Sequence, residues 1–186
     1  MQGSACHRRA CDAGDVTSTD PSIRPATDDD WPQIFPFWSR IVAEGRTYAY
    51  PPDLSSDGAR GLWMEPAPGR TVVAEVGGRV AGSAKMGPNR PGRGSHIATG
   101  SFMVDPDAGV RGVGRALGEH VIGWARDEGY AGIQFNAVVE TNERAVGLWR
   151  SLGFDVIGTV PGAFDHPEHG PVGLHVMFLD LRDDAR

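Results

Sequence analysis

The spacing of hydrophobic residues changes repeatedly along this chain and predicts a mixed α/β sheet. Apolar runs rich in Val, Ile and Ala are typical of buried strands. They lie at 71–76, 79–86, 96–104, 133–139, 154–160 and 173–181, and Ile23 opens a further short strand. Helical spacing fills the intervals before the second strand and after the fourth and fifth strands. The predicted element order is therefore β-α-α-β-β-β-α-β-α-β-β.

Glycine and proline set the predicted boundaries of these elements. Gly77 and Gly78, between two strands, predict a tight hairpin. Thr27 or Asp28 is the expected cap ahead of the first helix. Because proline is disfavoured inside helices, we expect that helix to run from Pro36 to Glu44. Further helices are predicted near Ser55–Trp63, in the segment ending at Gly129, and over Asn142–Leu152.

The start of the chain differs in character from the rest. Residues 1–21 are small and polar without periodicity, which predicts a disordered tail before one domain at 22–186. Cys6 and Cys11 lie in this tail, and two ligands rarely complete a structural zinc site, so we interpret them as incidental thiols. Without a signal-like apolar core or an 18-residue apolar run, a cytoplasmic protein with no membrane partner is expected.

Charge narrows the range of ligands. The 186 residues carry a formal net charge of −6, which argues against nucleic-acid binding. Lys85 is the only lysine among the 18 basic residues. An anion site elsewhere in the chain would therefore use arginine or backbone N–H groups.

One segment, Val104–Leu117, combines a strand end, a glycine-rich turn and a helix start. Such a turn aims several backbone N–H groups and the positive end of a helix at one point, where an anion can bind. The alternative is a turn that only packs a helix on a strand. Leu117 stands where a dinucleotide-binding fingerprint needs a third glycine, and Lys85 is too distant for an ATPase phosphate loop. The turn contains Gly109, Arg111, Gly112, Gly114 and Arg115.

Two motifs in this chain resemble the GNAT (Gcn5-related) acyl-CoA N-acetyltransferase superfamily. The first is the Val104-Asp105-Pro106 bend, followed by the segment at 111–117, RGVGRAL. The second is the helix opened by Asn142 and followed by Gly153-Phe154. The resemblance covers about residues 22–181.

The resemblance implies a GNAT fold whose central strands, 96–104 and 133–139, are splayed apart. It also implies acetyl-CoA as co-substrate, no metal, and an acetyl carbonyl that accepts a backbone N–H of the first splayed strand. The cofactor-binding residues it implies are Phe102, Met103, Val104, Gly109, Arg111, Gly112, Val113, Gly114, Arg115, Asn142, Ala145 and Trp149.

Two positions depart from the family pattern. Gly109 stands where the family usually has Gln or Arg, and Arg111 could compensate. Trp149 stands where the family commonly has a Tyr that is assigned as the acid for the leaving thiolate. An indole does not titrate usefully, but a thiol with a pKa near ~8.5 leaves without strong acid help. Core packing is the alternative role for Trp149.

A weaker resemblance concerns the acceptor. The segments GRTYAYP, FNAVVETNERAV and GTVPGAF look like the amino-acid acetylating subgroup, similar to enzymes that acetylate azetidine-2-carboxylate. We expect an acceptor pocket between residues 44–50 and a loop at 161–172. His166 and His169 with neighbouring acids could instead hold a metal, although none is expected. The predicted substrate-binding residues are Tyr48, Tyr50, Asn136, Phe164 and His166.

The predicted reaction is direct acetyl transfer in a ternary complex. The amine must first lose a proton, and Glu44, Glu140 and His175 are the candidate bases. Asn136 is a further candidate catalytic residue. The expected partner is a small-molecule amine, an amino acid or analogue being one candidate, and a homodimer is plausible. The alternatives are a protein or peptide N-terminal acetyltransferase and a degenerate CoA-binding sensor domain.

Overall fold

A computed structural model describes residues 20–182 of the chain. The predicted tail at 1–21 lies outside the described residues, except for Asp20 and Pro21, and so do Cys6 and Cys11. The helices are α1 (Trp31–Glu44), α2 (Ser56–Trp63), α3 (Val113–Asp127) and α4 (Glu143–Ser151), with 3-10 turns at Asp28–Asp30 and Gly92–Gly94. None of these helices combines the length and apolar character needed to cross a bilayer.

The strands of the described chain form one seven-stranded mixed sheet. They are β1 (Ser22–Pro25), β2 (Arg70–Val76), β3 (Arg79–Pro88), β4 (Ile97–Val104), β5 (Gly132–Val139), β6 (Asp155–His166) and β7 (Gly170–Asp180). The spatial order is β1-β2-β3-β4-β5-β7-β6. The predicted element order and the mixed α/β class are confirmed.

The central strands β4 and β5 are parallel and pair over two residues only. Ile97 lies opposite Gly132 and Ala98 opposite Ile133, and beyond that point the strands separate. The predicted splay is therefore present, and it leaves most of the inner edge of β4 without a strand partner.

Two hydrophobic clusters cover the two faces of the sheet. Helix α3 and Trp149 of α4 pack on one face in a cluster that includes Leu117, Ile133 and Phe135. Helices α1 and α2 pack on the opposite face, where Met103 joins them. Because side chains alternate along a strand, Met103 is directed away from the face that its neighbour Phe102 covers.

Gly82 lets α3 lie close to the sheet. A Cβ atom at Gly82 would sit 2.9 Å from the Met103 carbonyl oxygen and 2.9 Å from Val113 Cγ1. A larger residue would push the first turn of α3 away from β3. Gly82 therefore determines where the glycine-rich turn before α3 ends relative to β4.

The predicted start of the first helix is wrong. Helix α1 begins at Trp31 and continues through Pro36, five residues earlier than expected. Pro32 occupies the first turn, where its missing N–H costs nothing, and Pro36 removes a single hydrogen bond. Burial of Trp31 and Ile34 keeps the first turn helical despite that loss.

The predicted acceptor loop at 161–172 is also wrong. Strand β6 continues to His166 and β7 begins at Gly170, so only residues 167–169 turn. The β6–β7 register shifts between Val160 and Phe164, at a segment that contains Pro161. Since proline cannot donate to a ladder, the strand bulges there and then resumes.

An ion pair joins the first strand to the turn before α1. Asp30 is 4% exposed, and its carboxylate accepts hydrogen bonds from Arg24 at 2.7 and 2.8 Å and from the Thr27 N–H at 2.7 Å. The hydrogen bonds from Arg24 lower the pKa of Asp30 from 3.8 to about 2. Folding therefore favours the ionised carboxylate by about 2 kcal/mol.

We predict that Asp30→Asn lowers the free energy of unfolding at pH 7 by about 2 kcal/mol, because it removes the charged partner of Arg24. The folded-state pKa is depressed, so the wild-type advantage should be fully present above pH ~4 and be lost as the pH falls through ~2. Urea denaturation at several pH values measures this. Asp29→Asn is the matched control and should change stability by less than about 0.5 kcal/mol. An undiminished advantage at pH 2 would contradict the assignment.

Candidate functional site

The open edge of β4 faces the splay. Ala84 of β3 lies opposite Phe102, yet the N–H and C=O of Phe102 both bond the Tyr48 hydroxyl. In an antiparallel ladder these two groups of a residue point to the same edge. Those of Phe102 therefore point away from β3 and into the splay.

Tyr48 reaches this edge from the segment between α1 and α2. Its hydroxyl donates to the Phe102 carbonyl at 2.7 Å and accepts the Phe102 N–H at 2.9 Å. Burial raises the pKa of Tyr48 above its ordinary value, so the phenol stays protonated. Tyr50 stacks beside it with ring centroids 5.5 Å apart.

The glycine-rich turn follows the end of β4. Gly109 and Gly112 have φ values of 66° and 87°, in the left-handed region that favours glycine. Gly112 is the N-cap of α3. Within residues 20–182, no acceptor bonds the N–H groups of 112–115, which point along the positive end of the helix. The turn therefore offers a set of unused donors to an anion.

The charged side chains of this turn have different partners. Arg111 is exposed and has no hydrogen-bond partner in the described part of the chain. Arg115 instead donates to Ser151 Oγ at 2.7 Å and pairs with Glu119 at 3.4 Å. Arg111 is thus the more available of the two predicted anion-binding arginines.

Aromatic rings fill the floor of the splay on the α3–α4 face. Trp149 is 6% exposed, and its ring centroid lies 4.6 Å from that of Phe102 and 4.8 Å from that of Phe135. Trp149 is therefore packed in the core beside the open edge of β4.

Asn142 caps α4, because the N–H of Ala145 donates to Asn142 Oδ1 at 3.2 Å.

A cavity of about 380 Å³ lies on the other side of the splay. Its walls come from the N-terminal half of β4, the end of β3 and the segment before β2. Tyr50 and Asn136, both predicted acceptor residues, line it. The lining residues are Tyr50, Glu65, Pro66, Ala67, Pro68, Gly69, Lys85, Met86, Gly87, Pro88, Thr99, Gly100, Ser101 and Asn136.

Asn136 reaches the cavity because β5 is irregular. The β5–β7 register shifts between Phe135 and Val138, and Asn136 is exposed there. Its Oδ1 accepts from Gln134 at 2.8 Å and its Nδ2 donates to Asn89 at 2.7 Å. These bonds hold the amide at the mouth of the cavity.

Sequence reasoning missed Lys85 and Glu65 as cavity residues. Lys85 Nζ donates to Glu65 Oε1 at 2.8 Å and to the Leu62 carbonyl at 2.7 Å. An ammonium has three N–H donors, which leaves one unused within the described residues. The sequence did offer one signal for this position. Lys85 is the only lysine in an arginine-rich chain, and an ordinary surface position could have carried arginine instead.

The three predicted bases do not line the cavity. Glu44 is exposed at the end of α1. The Glu140 carboxylate accepts the N–H of Gly173, and His175 Nδ1 lies 2.7 Å from Thr159 Oγ1. Glu140 thus bonds a residue of β7, and His175 bonds a residue of β6.

The β6–β7 hairpin tip carries the remaining predicted residues. Phe164 packs against Val139 and Val172, and His166 is 6% exposed. His166, Glu168 and His169 offer ligand atoms within 4.8 Å of one another. However, His166 Nδ1 accepts the Glu168 N–H at 3.2 Å, which places the proton of neutral His166 on Nε2. A metal ion bound at Nδ1 would have to displace the Glu168 N–H.

The hairpin tip nevertheless meets the segment that carries Tyr48. Arg46 pairs with Glu168 at 2.5 Å. A Cβ atom at Gly45 would lie 4.0 Å from Pro167. The predicted proximity of 44–50 to this part of the chain therefore holds, although the partner is a turn rather than a long loop.

Comparisons with known proteins agree with this geometry. Residues 30–154 match the model of the Acetyltransferase (GNAT) family, well over half of the chain. The chain belongs to the GNAT acetyltransferase family. A GCN5-related N-acetyltransferase from Kribbella flavida is 58% identical with a TM-score of 0.84, over 87% of this chain and 98% of that one.

Two further acetyltransferases share less sequence identity with this chain. The yncA protein of Salmonella typhimurium, solved with its cofactor acetyl-CoA, is 25% identical with a TM-score of 0.74, over 90% of this chain and 97% of that one. N-acetyltransferase aca1 of Schizosaccharomyces pombe is 37% identical over 84 residues, 45% of this chain. The matched segment spans only 40% of aca1.

We predict that Gly112→Glu abolishes measurable binding of acetyl-CoA. The substitution places an L residue at φ 87° and a carboxylate beside the unused N–H groups. The left-handed conformation alone costs about 1–2 kcal/mol, and the negative charge repels phosphate. Isothermal titration calorimetry measures the affinity. Gly123→Glu in α3 is the matched control, because a Cβ atom there meets no atom within 4 Å. Retained affinity in Gly112→Glu would refute the assignment of the turn as the phosphate site.

Proposed function

We propose that this GNAT protein transfers an acetyl group from acetyl-CoA directly to the amine of a small molecule. The observation that carries this proposal is the unpaired edge of β4, which lies between the turn at 109–115 and the cavity. An acyl donor anchored at the turn and an acceptor in the cavity would meet at this edge.

The residues of the turn fit the phosphate groups of acetyl-CoA. The N–H groups of 112–115 have no acceptor within the described residues, and Arg111 adds an unpaired charge beside them. Backbone N–H groups at a helix N-terminus bind phosphate without lysine. Strand β4 then offers main-chain groups to the arm that joins the phosphates to the thioester.

The cavity supports a small acceptor. Its volume of about 380 Å³ lies near the lower end of the range of roughly 300–1,000 Å³ for small-molecule sites. The segment 65–69 forms one wall, and a Cβ atom at Gly69 would lie 2.9 Å from the Met86 carbonyl oxygen. That wall therefore packs closely on β3.

The acceptor class that we propose is an amino acid or an amino-acid analogue. Lys85 has one N–H donor left for a ligand, and its side chain is 19% exposed. A carboxylate on the acceptor would accept that N–H at the cavity wall. The α-amine of an amino acid, with a pKa near ~8, also needs only about 1.4 kcal/mol for deprotonation at pH 7.

The proposed chemistry needs no covalent enzyme intermediate. Cysteine is absent from the residues that line the cavity. The amine nitrogen attacks the thioester carbon, the C–S bond breaks, and the nitrogen proton passes through water to the departing thiolate. Since none of Glu44, Glu140 and His175 lines the cavity, we favour water over these side chains as the first proton acceptor.

We predict turnover with amino acids in a thiol-release assay across a panel of amines. Lys85→Met should raise the KM for an amino acid at least about tenfold, because a charge-assisted hydrogen bond contributes about 1.5–3 kcal/mol. The matching decarboxylated amine should be affected less. Arg79→Met, which removes a cation from the hairpin end of the same strand, is the control and should leave both KM values within about twofold.

The outcomes of this panel separate the alternatives. Turnover of peptides with free N-termini but not of free amino acids would support an N-terminal acetyltransferase. Tight binding of acetyl-CoA without turnover of any amine would support a sensor domain. Equal effects of Lys85→Met on amino acid and amine would contradict carboxylate recognition by Lys85.

A further inference from the structure

We propose that the Tyr48 hydroxyl is a catalytic hydrogen-bond donor, which together with the Phe102 N–H binds the acetyl oxygen during transfer. This inference rests on the proposed function, because it requires acetyl-CoA to lie along the open edge of β4. It assigns the donor to the segment between α1 and α2, not to α4.

The location of the hydroxyl is the first support. It bonds Phe102, a residue of β4 whose main-chain groups face the splay. Ser101, the residue before Phe102, lines the cavity. Val104, two residues after Phe102, ends the strand that leads into the glycine-rich turn. The hydroxyl therefore lies between the two sites that would hold acceptor and acyl donor.

The bonding pattern of the hydroxyl is the second support. Its oxygen accepts the Phe102 N–H at 2.9 Å, and an acyl oxygen that accepts the same N–H displaces the hydroxyl oxygen to a place beside it. When an acyl oxygen accepts that N–H, the hydroxyl turns its proton from the Phe102 carbonyl towards the same oxygen. Two donors then converge on the atom where negative charge develops.

The surroundings of the hydroxyl suit a donor and not a base. The Tyr48 ring stacks on Tyr50 and meets the edge of Trp63 at 6.2 Å, which fixes its direction. Burial raises the pKa of Tyr48, so the proton stays on the oxygen at neutral pH. Trp149 cannot supply an equivalent phenol, because an indole has no hydroxyl and its ring is packed against Phe102 and Phe135.

Tyr48 is chemically unchanged by the acetyl transfer. The nitrogen lone pair forms the C–N bond while the carbonyl pair moves onto the oxygen, which the two donors stabilise. That pair then returns, the C–S bond breaks, and the thiolate receives the proton that the nitrogen loses. The products are the amide and the free thiol of CoA, and Tyr48 keeps its proton throughout.

Tyr48→Phe tests the proposal kinetically. It removes the hydroxyl and keeps the ring, so kcat should fall by about 100-fold, the usual effect of losing one such donor. The KM for acetyl-CoA should change by no more than about threefold. Tyr130→Phe is the matched control, since Tyr130 packs on Trp124 away from the splay, and its kcat should equal that of wild type. A Tyr48→Phe kcat within threefold of wild type would overturn the proposal.

Infrared spectroscopy of bound [1-13C]acetyl-CoA tests it without turnover. A hydrogen bond from Tyr48 lowers the stretching frequency of the acetyl carbonyl, so Tyr48→Phe should raise it and Tyr130→Phe should not. An unchanged frequency alongside a lower kcat would mean that Tyr48 only supports β4, which overturns the proposal. Because this measurement needs no acceptor, failure of the proposed function and failure of the Tyr48 proposal are distinguishable.

A second substitution covers the case in which Tyr48→Phe does not fold. Replacing Tyr48 with 3-fluorotyrosine keeps the hydroxyl and makes it a stronger donor. The carbonyl frequency of bound acetyl-CoA should then fall below the wild-type value. A frequency equal to wild type would count against a hydrogen bond from Tyr48.

Discussion

The separation of β4 from β5 is the constraint on which the rest of this molecule depends. The two strands pair only at Ile97–Gly132 and Ala98–Ile133, so main-chain donors and acceptors farther along β4 have no strand partner. Buried polar backbone groups without partners are costly, and each must be satisfied by a side chain, water or ligand. The open edge of β4 therefore requires polar partners.

Several features of the described chain meet at this gap. Tyr48 satisfies the exposed main-chain groups of Phe102, and the rings of Phe102, Phe135 and Trp149 close the floor below. Gly82 brings α3 close to the sheet, so the unused N–H groups of the turn lie at the end of the same strand. The glycine-rich turn, the open edge and the cavity follow one another along β4.

The glycine-rich turn could be predicted from the sequence because its conformation depends on residues that are adjacent in the chain. Gly109 and Gly112 adopt left-handed conformations, and the N–H groups without acceptors lie in the turn and the first residues of α3. The residues that line the cavity could be predicted only in part. Asn136 and Tyr50, two of the predicted acceptor residues, line the cavity, but Lys85 and Glu65 come from other segments and carry no local signature.

Sequence by itself determined the order of the elements, the family resemblance and the turn, because each depends on neighbouring residues. Tertiary structure decided the length of α1, since burial of Trp31 and Ile34 outweighs the single bond lost at Pro36. It also decided the partner of Phe102. Tyr48 and Phe102 are separated by 54 residues, and no periodicity or motif relates them. Only folding of the α1–α2 segment against the splay places that hydroxyl at the open edge.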